Sequence, residues 1–176
     1  KVASGTNELL VWIPTFPPDL SQDSFTDDGF FKTGDEVTML DDGTIIYKDR
    51  ISDRLNVNGE KISPLLIQRE VEELALFKEV HIFGVPKPEE KTDIVTALVV
   101  PKENQTINLK NITTLLGKRL PPHLKAFIPR VILVKENIPV ELIRGPGKVP
   151  RRLLRKHYSE EVIAEYNKIK GIPQSS

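Results

Sequence analysis

The 176-residue chain contains no cysteine. That absence excludes a disulfide framework, Cys-ligated zinc, an iron–sulfur cluster and a thiol nucleophile, and it makes an intracellular, cytoplasmic setting the default expectation. Excess charge of one sign is also missing, with 25 Lys plus Arg against 25 Asp plus Glu, so no global field draws the chain to nucleic acid or to an anionic membrane. Long apolar runs are lacking: the stretch from Ile94 to Val100, interrupted by Thr96, falls far short of the ~20 residues of a membrane-spanning helix. The three histidines, His81, His123 and His157, are scattered, so no metal site is expected from them. Lys1 to Glu8 offer neither an initiator Met nor a secretory apolar region, and the expectation is a piece of a larger polypeptide.

What is present is an ordinary globular composition, 39% hydrophobic, at a length that hides roughly 70% of the unfolded surface. Charge is spread unevenly. Residues 1–50 hold 4 basic and 10 acidic side chains, and residues 51–176 hold 21 basic and 15 acidic, which places a domain boundary near residue 50.

In the first part, Glu8 to Ile13 reads as a strand stopped by Pro14, and Pro17-Pro18 as loop. Val37 to Leu40 and Thr44 to Tyr47 flank Asp41-Asp42-Gly43, the chemistry of a tight hairpin turn. In the second part, Ser63-Pro64 supplies an N-cap and an N1 proline to a helix predicted to run to about Phe77. Val80 to Val85, Ile94 to Val100 and Val131 to Val134 read as strands. Leu109 to Leu120 and Arg151 to about Ile169 have apolar groups at helical spacing, the latter through Leu154, Tyr158, Val162, Tyr166 and Ile169. Helices and strands are mixed, and the class is α+β.

Three features carry possible chemistry. Asp35 and Arg50 stand at the two open ends of the predicted hairpin, so they can lie side by side: a carboxylate able to accept from both hydroxyls of a ribose, next to a planar five-donor cation. Without further context a salt bridge closing the hairpin accounts for the pair. Gly145-Pro146-Gly147-Lys148 is a glycine-rich loop ending in lysine before a basic helix. It is not a P-loop, since Leu142 and Val149 stand where that pattern needs Gly and Ser or Thr. An adaptable backbone there can carry an ammonium group to an anion, although a surface turn is the plainer account. Asn58-Gly59, followed by Lys61, permits close approach of another molecule, or is simply an Asn-Gly hairpin turn. Arg151, Arg152, Arg155 and Lys156 read as a solvated helix face, and His81 as strand packing. Asn104-Gln-Thr106 and Asn111-Ile-Thr113 match glycosylation sequons by chance.

Taken in order, these segments resemble the adenylate-forming superfamily of acyl-CoA synthetases, nonribosomal-peptide adenylation domains and beetle luciferases. Thr26 to Asp35 (TDDGFFKTGD) is similar to the family's T-D-D-G-W-x-x-T-G-D, and Asp49 to Asp53 (DRISD) to its G-R-x-x-D hinge. Asn58 to Pro64 (NGEKISP) resembles G-x-K-I-S-P, and Gly147-Lys148 with Arg151-Arg152 and Leu154 resembles the C-terminal G-K-x-x-R-R-x-L. Three departures stand out: Asp49 replaces a glycine, Ser52 replaces the pivoting Asp or Lys, and Pro139 to Lys148 is about three residues longer than P-K-T-x-x-G-K.

The resemblance implies that residues 1–51 are the β-hairpin end of a large N-terminal domain and 52–176 a small α+β C-terminal domain. The phosphate loop and acyl pocket of the large domain would lie outside this chain, which is therefore expected to be inactive alone. The implied whole is an AMP-forming acid–thiol ligase that uses ATP, Mg2+ held mainly by the absent large-domain residues, a carboxylic acid and coenzyme A. Lys148 would be catalytic in adenylation, Asp35 and Arg50 would bind the ribose, Ser52 and Asp53 would form the hinge, and Asn58, Gly59 and Lys61 would line the thiolation face. Two alternatives stay open: loading of a carrier protein's phosphopantetheine, and a non-catalytic interaction module that kept the fold.

Overall fold

The computed structural model describes residues 1–14, 21–103 and 108–171. Pro17-Pro18 and the sequon at 104–106 lie outside the described residues. The chain divides into two compact units, Lys1–Ser52 and Asp53–Ser176.

The first unit is an antiparallel sheet in the order β1 (Glu8–Val11), β2 (Phe31–Met39), β3 (Ile45–Arg50). β1 is shorter than expected because Val11 pairs with Phe31, the first residue of β2, and the ladder has no partner beyond it among the described residues. The β2–β3 turn forms as its sequence indicates. Gly43 donates to Leu40 O at 2.9 Å, Leu40 donates to Thr44 O at 2.9 Å, and Gly43 takes φ +83°, a conformation that costs a glycine nothing. Apolar burial is sparse here, with Leu10, Phe25 and Val37 hidden. Ile45, Ile46 and Tyr47 are exposed in succession, and because neighbouring strand residues point to opposite faces, both faces of β3 are uncovered by the described residues.

The second unit opens with the hairpin β4 (Leu55–Val57) and β5 (Glu60–Ile62), followed by α1 (Pro64–Glu72). Ser63 Oγ accepts from Leu65 N at 3.2 Å, as an N-cap should, and Pro64 sits where its missing N–H is not needed. α1 ends at Glu72, five residues before the predicted Phe77. Ala75 turns the chain at φ +59°, and Phe77 instead opens β6 (Phe77–Pro86), opposite Pro101. The β-rich run that follows claims Phe77 for the sheet, and local helical spacing is overridden.

β6 pairs antiparallel with β7 (Asp93–Pro101), and β7 pairs parallel with β8 (Val131–Val134). A parallel neighbour requires a crossover, supplied here by α2 (Leu109–Arg119) and the 3-10 segment Pro122–Phe127. The sheet is buried on both faces. One carries Ile82, Val95, Ala97 and Val99 against α1, α2 and the β4–β5 hairpin through Ile67, Val71, Ile112, Leu116 and Leu55. The other carries Phe83, Ile94, Leu98 and Leu133 against α3 (Arg151–Lys170) through Leu154, Tyr158 and Val162. The predicted α3 stripe holds over its first three members, whereas Ile169 is 64% exposed.

The basic start of α3 differs from the expected solvated face. Arg151 Nε donates to Ile82 O at 3.0 Å and Arg155 Nε to Gly84 O at 2.8 Å, so two guanidinium groups cover carbonyls on the outer edge of β6. An open strand edge is a template for unwanted pairing, and here α3 closes part of it.

Candidate functional site

In the first unit, Asp35 and Arg50 are direct cross-strand partners between β2 and β3, with Arg50 Nε 3.0 Å from Asp35 Oδ1. The Thr33-Gly34-Asp35 segment is braced from β1: Thr33 Oγ1 donates to Leu9 O at 2.8 Å and accepts from Asp35 N at 3.1 Å, and Gly34 N donates to Glu8 Oε1 at 2.8 Å. Gly34 holds φ +73°, which few side chains tolerate. The pair keeps solvent access, with the Arg50 side chain 56% exposed and that of Asp35 25%. An exposed pair of this kind adds little stability. Asp49, which the sequence marks only as a departure from glycine, is buried, and its Oδ1 accepts from Arg50 N at 2.8 Å. Asp49 thus fixes the backbone that carries the guanidinium, a role that no spacing rule signals.

The division between the units falls in a 3-10 turn, Ile51–Asp53. Ser52 is exposed, while Asp53 Oδ2 lies 3.9 Å from Arg151 Nη1 at the head of α3.

In the second unit, Asn58 and Gly59 take φ +52° and +89°, which makes a two-residue turn of type I′, and Val57 faces Glu60 across it. A Cβ built on Gly59 would meet nothing within 4 Å, so the turn leaves open space at this position. Lys61 is exposed on the same hairpin.

Lys148 stands on a separate loop. Arg144 N donates to Lys148 O at 2.7 Å, Lys148 N donates to Arg144 O at 2.9 Å, and Gly147 N donates to Gly145 O at 2.9 Å. The loop is therefore closed at its base, tighter than the adaptable backbone expected from its glycines. The Lys148 side chain is exposed, and its ammonium makes no hydrogen bond or ion pair among the described residues. The preceding stretch contains a 3-10 turn, Val140–Leu142, that buries Leu142 in the α3 side of the core.

No protein-family model matches the chain. Comparison with curated proteins finds the long-chain-fatty-acid–CoA ligase FadD13 of Mycobacterium tuberculosis, 32% identical over 146 residues, covering 82% of this chain and 27% of that protein. The chain belongs to the adenylate-forming superfamily. Another relative, 2,3-dihydroxybenzoate-AMP ligase of Bacillus subtilis, is 30% identical over 155 residues, 82% of this chain and 26% of its own length. Among solved structures, ATP-bound MatB from Rhodopseudomonas palustris superposes with a TM-score of 0.69 at 26% identity, covering 82% of this chain and 27% of that one. The chain thus spans about a quarter of the length of the curated relatives it matches.

Of the residues that the adenylate-forming pattern selects, the structure joins Asp35 to Arg50, ties Asp53 to α3 through Arg151, and sets Asn58, Gly59 and Lys61 on one hairpin. Among the described residues no three His, Asp or Glu side chains come together as a metal site, and no helix is long and apolar enough to cross a membrane. His81 is part of β6. Burial lowers its pKa, and Glu79, whose Oε2 lies 3.5 Å from Nε2 without hydrogen-bond geometry, acts in the opposite direction. A histidine kept neutral by folding binds its proton first in the unfolded chain, so stability is full above about pH 6.5 and falls as pH drops through the unfolded pKa toward the lowered folded one. Denaturation midpoints measured between pH 7 and pH 5 should decline, and His81→Gln should flatten that slope. An unchanged slope in the variant would remove His81 as the cause.

Proposed function

We propose that this chain is the C-terminal part of an AMP-forming acyl-CoA ligase, with residues 1–51 closing the large N-terminal domain and 52–176 forming the small C-terminal domain. The whole protein would join a carboxylic acid to ATP, releasing pyrophosphate, and then pass the acyl group from the adenylate to the thiol of coenzyme A. The observation that carries the reading is the Lys148 ammonium, exposed and without a partner among the described residues, at the entrance to α3. Bringing a carboxylate to an anionic phosphate gathers negative charge, and a positioned cation stabilises that arrangement. Asp35 and Arg50 would hold the ribose. The open Gly59 surface, with Asn58 and Lys61, would border the path of the thiol arm. Turning about Ser52 and Asp53 would present the lysine loop for the first step and the glycine turn for the second.

The exposed apolar run Ile45–Tyr47 of β3 supports the assignment of the first unit, since apolar side chains left uncovered on both faces of a strand by the described residues offer a surface for further chain to pack against. Any Mg2+ accompanying the nucleotide would be held mainly by large-domain residues beyond this chain. The CoA-ligase name of the FadD13 relative and the Lys61-Ile62-Ser63-Pro64 sequence favour free coenzyme A as acceptor. A cytoplasmic location, expected from the cysteine-free composition, belongs to the same proposal.

Thermal denaturation of the full-length parent protein tests the reading. ATP and coenzyme A should each raise the midpoint, since a ligand at about 100 times its Kd adds about 2.7 kcal/mol to the folded state. A protein that responds to neither ligand would be an interaction module that kept the fold.

A further inference from the structure

Asn56 faces Lys61 across the β4–β5 hairpin, one position in from the Val57–Glu60 pair that closes the turn. In a two-residue hairpin this is a non-hydrogen-bonded site, so the backbone N–H and C=O of Asn56 point away from β5 and need partners elsewhere. The start of β7 supplies them. Asn56 N donates to Asp93 Oδ2 at 2.8 Å, and Thr92 Oγ1 lies 3.5 Å from Asn56 O while accepting from Asn58 N at 3.2 Å. The Asn56 side chain continues the chain of bonds: its Nδ2 donates to Lys91 O at 3.3 Å, and its Oδ1 accepts from Gly59 N at 3.1 Å.

Gly84 makes this possible. It faces Val95 across the sheet, so Asp93 is its diagonal neighbour on the same face. A Cβ on Gly84 would stand 2.6 Å from Asp93 Oδ2, 2.7 Å from Cγ and 2.9 Å from Cβ. All three distances are too short, and Asp93 is too short a side chain to bend its carboxylate aside while keeping the bond to Asn56. Gly84 itself has an ordinary backbone conformation, so its missing side chain matters for space and not for φ.

We propose that Asp93, seated in the space over Gly84, positions the Asn58–Gly59 turn through Asn56, and so sets the surface that the acceptor thiol passes. This deepens the reading above and rests on it. Asp93 acts at a distance from the reacting atoms and is a positioning residue.

The test uses the full-length parent protein, with the two half-reactions assayed separately. Asp93→Ala, and Gly84→Ala with the carboxylate present but displaced, should each slow thiolation of supplied acyl-adenylate by about ten- to hundredfold, the scale of a misplaced site element. Pyrophosphate exchange should stay within about twofold of the parent, inside the tenfold that each 1.4 kcal/mol would produce. Asp93→Asn, which keeps an oxygen for the Asn56 amide, should recover most of the thiolation rate. Hydrogen exchange in the 54–62 segment should accelerate in Asp93→Ala and Gly84→Ala but not in Asp93→Asn. Unchanged thiolation in both Ala variants, equal loss of both half-reactions, or unchanged hydrogen exchange in the 54–62 segment would each overturn the proposal. Gly59→Leu assayed alongside separates the two failures: if it spares thiolation, the thiol-face reading itself falls, and the exchange measurement alone then decides whether Asp93 holds the turn.

Discussion

Lys148→Ala in the full-length parent protein is expected to abolish measurable adenylate formation, with pyrophosphate exchange into ATP falling by at least about 10²–10³-fold, the usual loss when one preorganised charge-stabilising donor is removed. Thiolation of supplied acyl-adenylate should be largely spared. The separation follows from the role proposed for Lys148 in the first step alone, and a fold defect would not produce it, because the side chain is exposed and its removal leaves no orphaned charge among the described residues. Surface substitutions of that kind change stability by about 0.5 kcal/mol or less, so the lost rate cannot be unfolding in disguise. Parental exchange in the Lys148→Ala protein would overturn the assignment.

Gly59→Leu is expected to do the reverse, lowering thiolation by about a hundredfold while pyrophosphate exchange persists, because on the proposed reading the leucine would obstruct the path of the thiol and leave the reaction geometry of the first step alone. Two effects are combined in this variant. A leucine at φ +89° is strained by about 1–2 kcal/mol, and its bulk projects into space that holds no atom within 4 Å. Gly59→Ala carries nearly the same strain with little bulk. If obstruction is the cause, the Ala protein should thiolate close to the parental rate and the Leu protein should not. Equal impairment of both would point to the turn's conformation.

The contrast between what was and was not legible in the sequence follows the range of the interactions. The Asp41-Asp42-Gly43 and Asn58-Gly59 turns and the Ser63-Pro64 cap are decided by a few neighbouring residues, and each appears where its letters place it. The pairing of Asp35 with Arg50 was also readable, because a hairpin turns sequence spacing into register. The end of α1 was not, since Phe77 satisfies the helical spacing yet is taken by a sheet whose partner residue, Pro101, is distant in sequence. Arg151 and Arg155 looked like a solvated face because nothing near them in sequence reveals the carbonyls of Ile82 and Gly84. The Asp93–Asn56 bond escaped for the same reason, whereas the Asp49 bond to Arg50 N is local and belongs to no spacing pattern that marks it.

The closed base of the Lys148 loop has a consequence for how this region can vary. Two main-chain hydrogen bonds join Arg144 and Lys148 around Gly145, Pro146 and Gly147, and the chain enters α3 soon after, at Arg151. Inserting or deleting a single residue between those two anchors would break the paired bridge that fixes where the lysine leaves the loop. Exchanges of letter within the loop should therefore be far milder than any change in its count, and an indel there should silence adenylation even with the lysine retained.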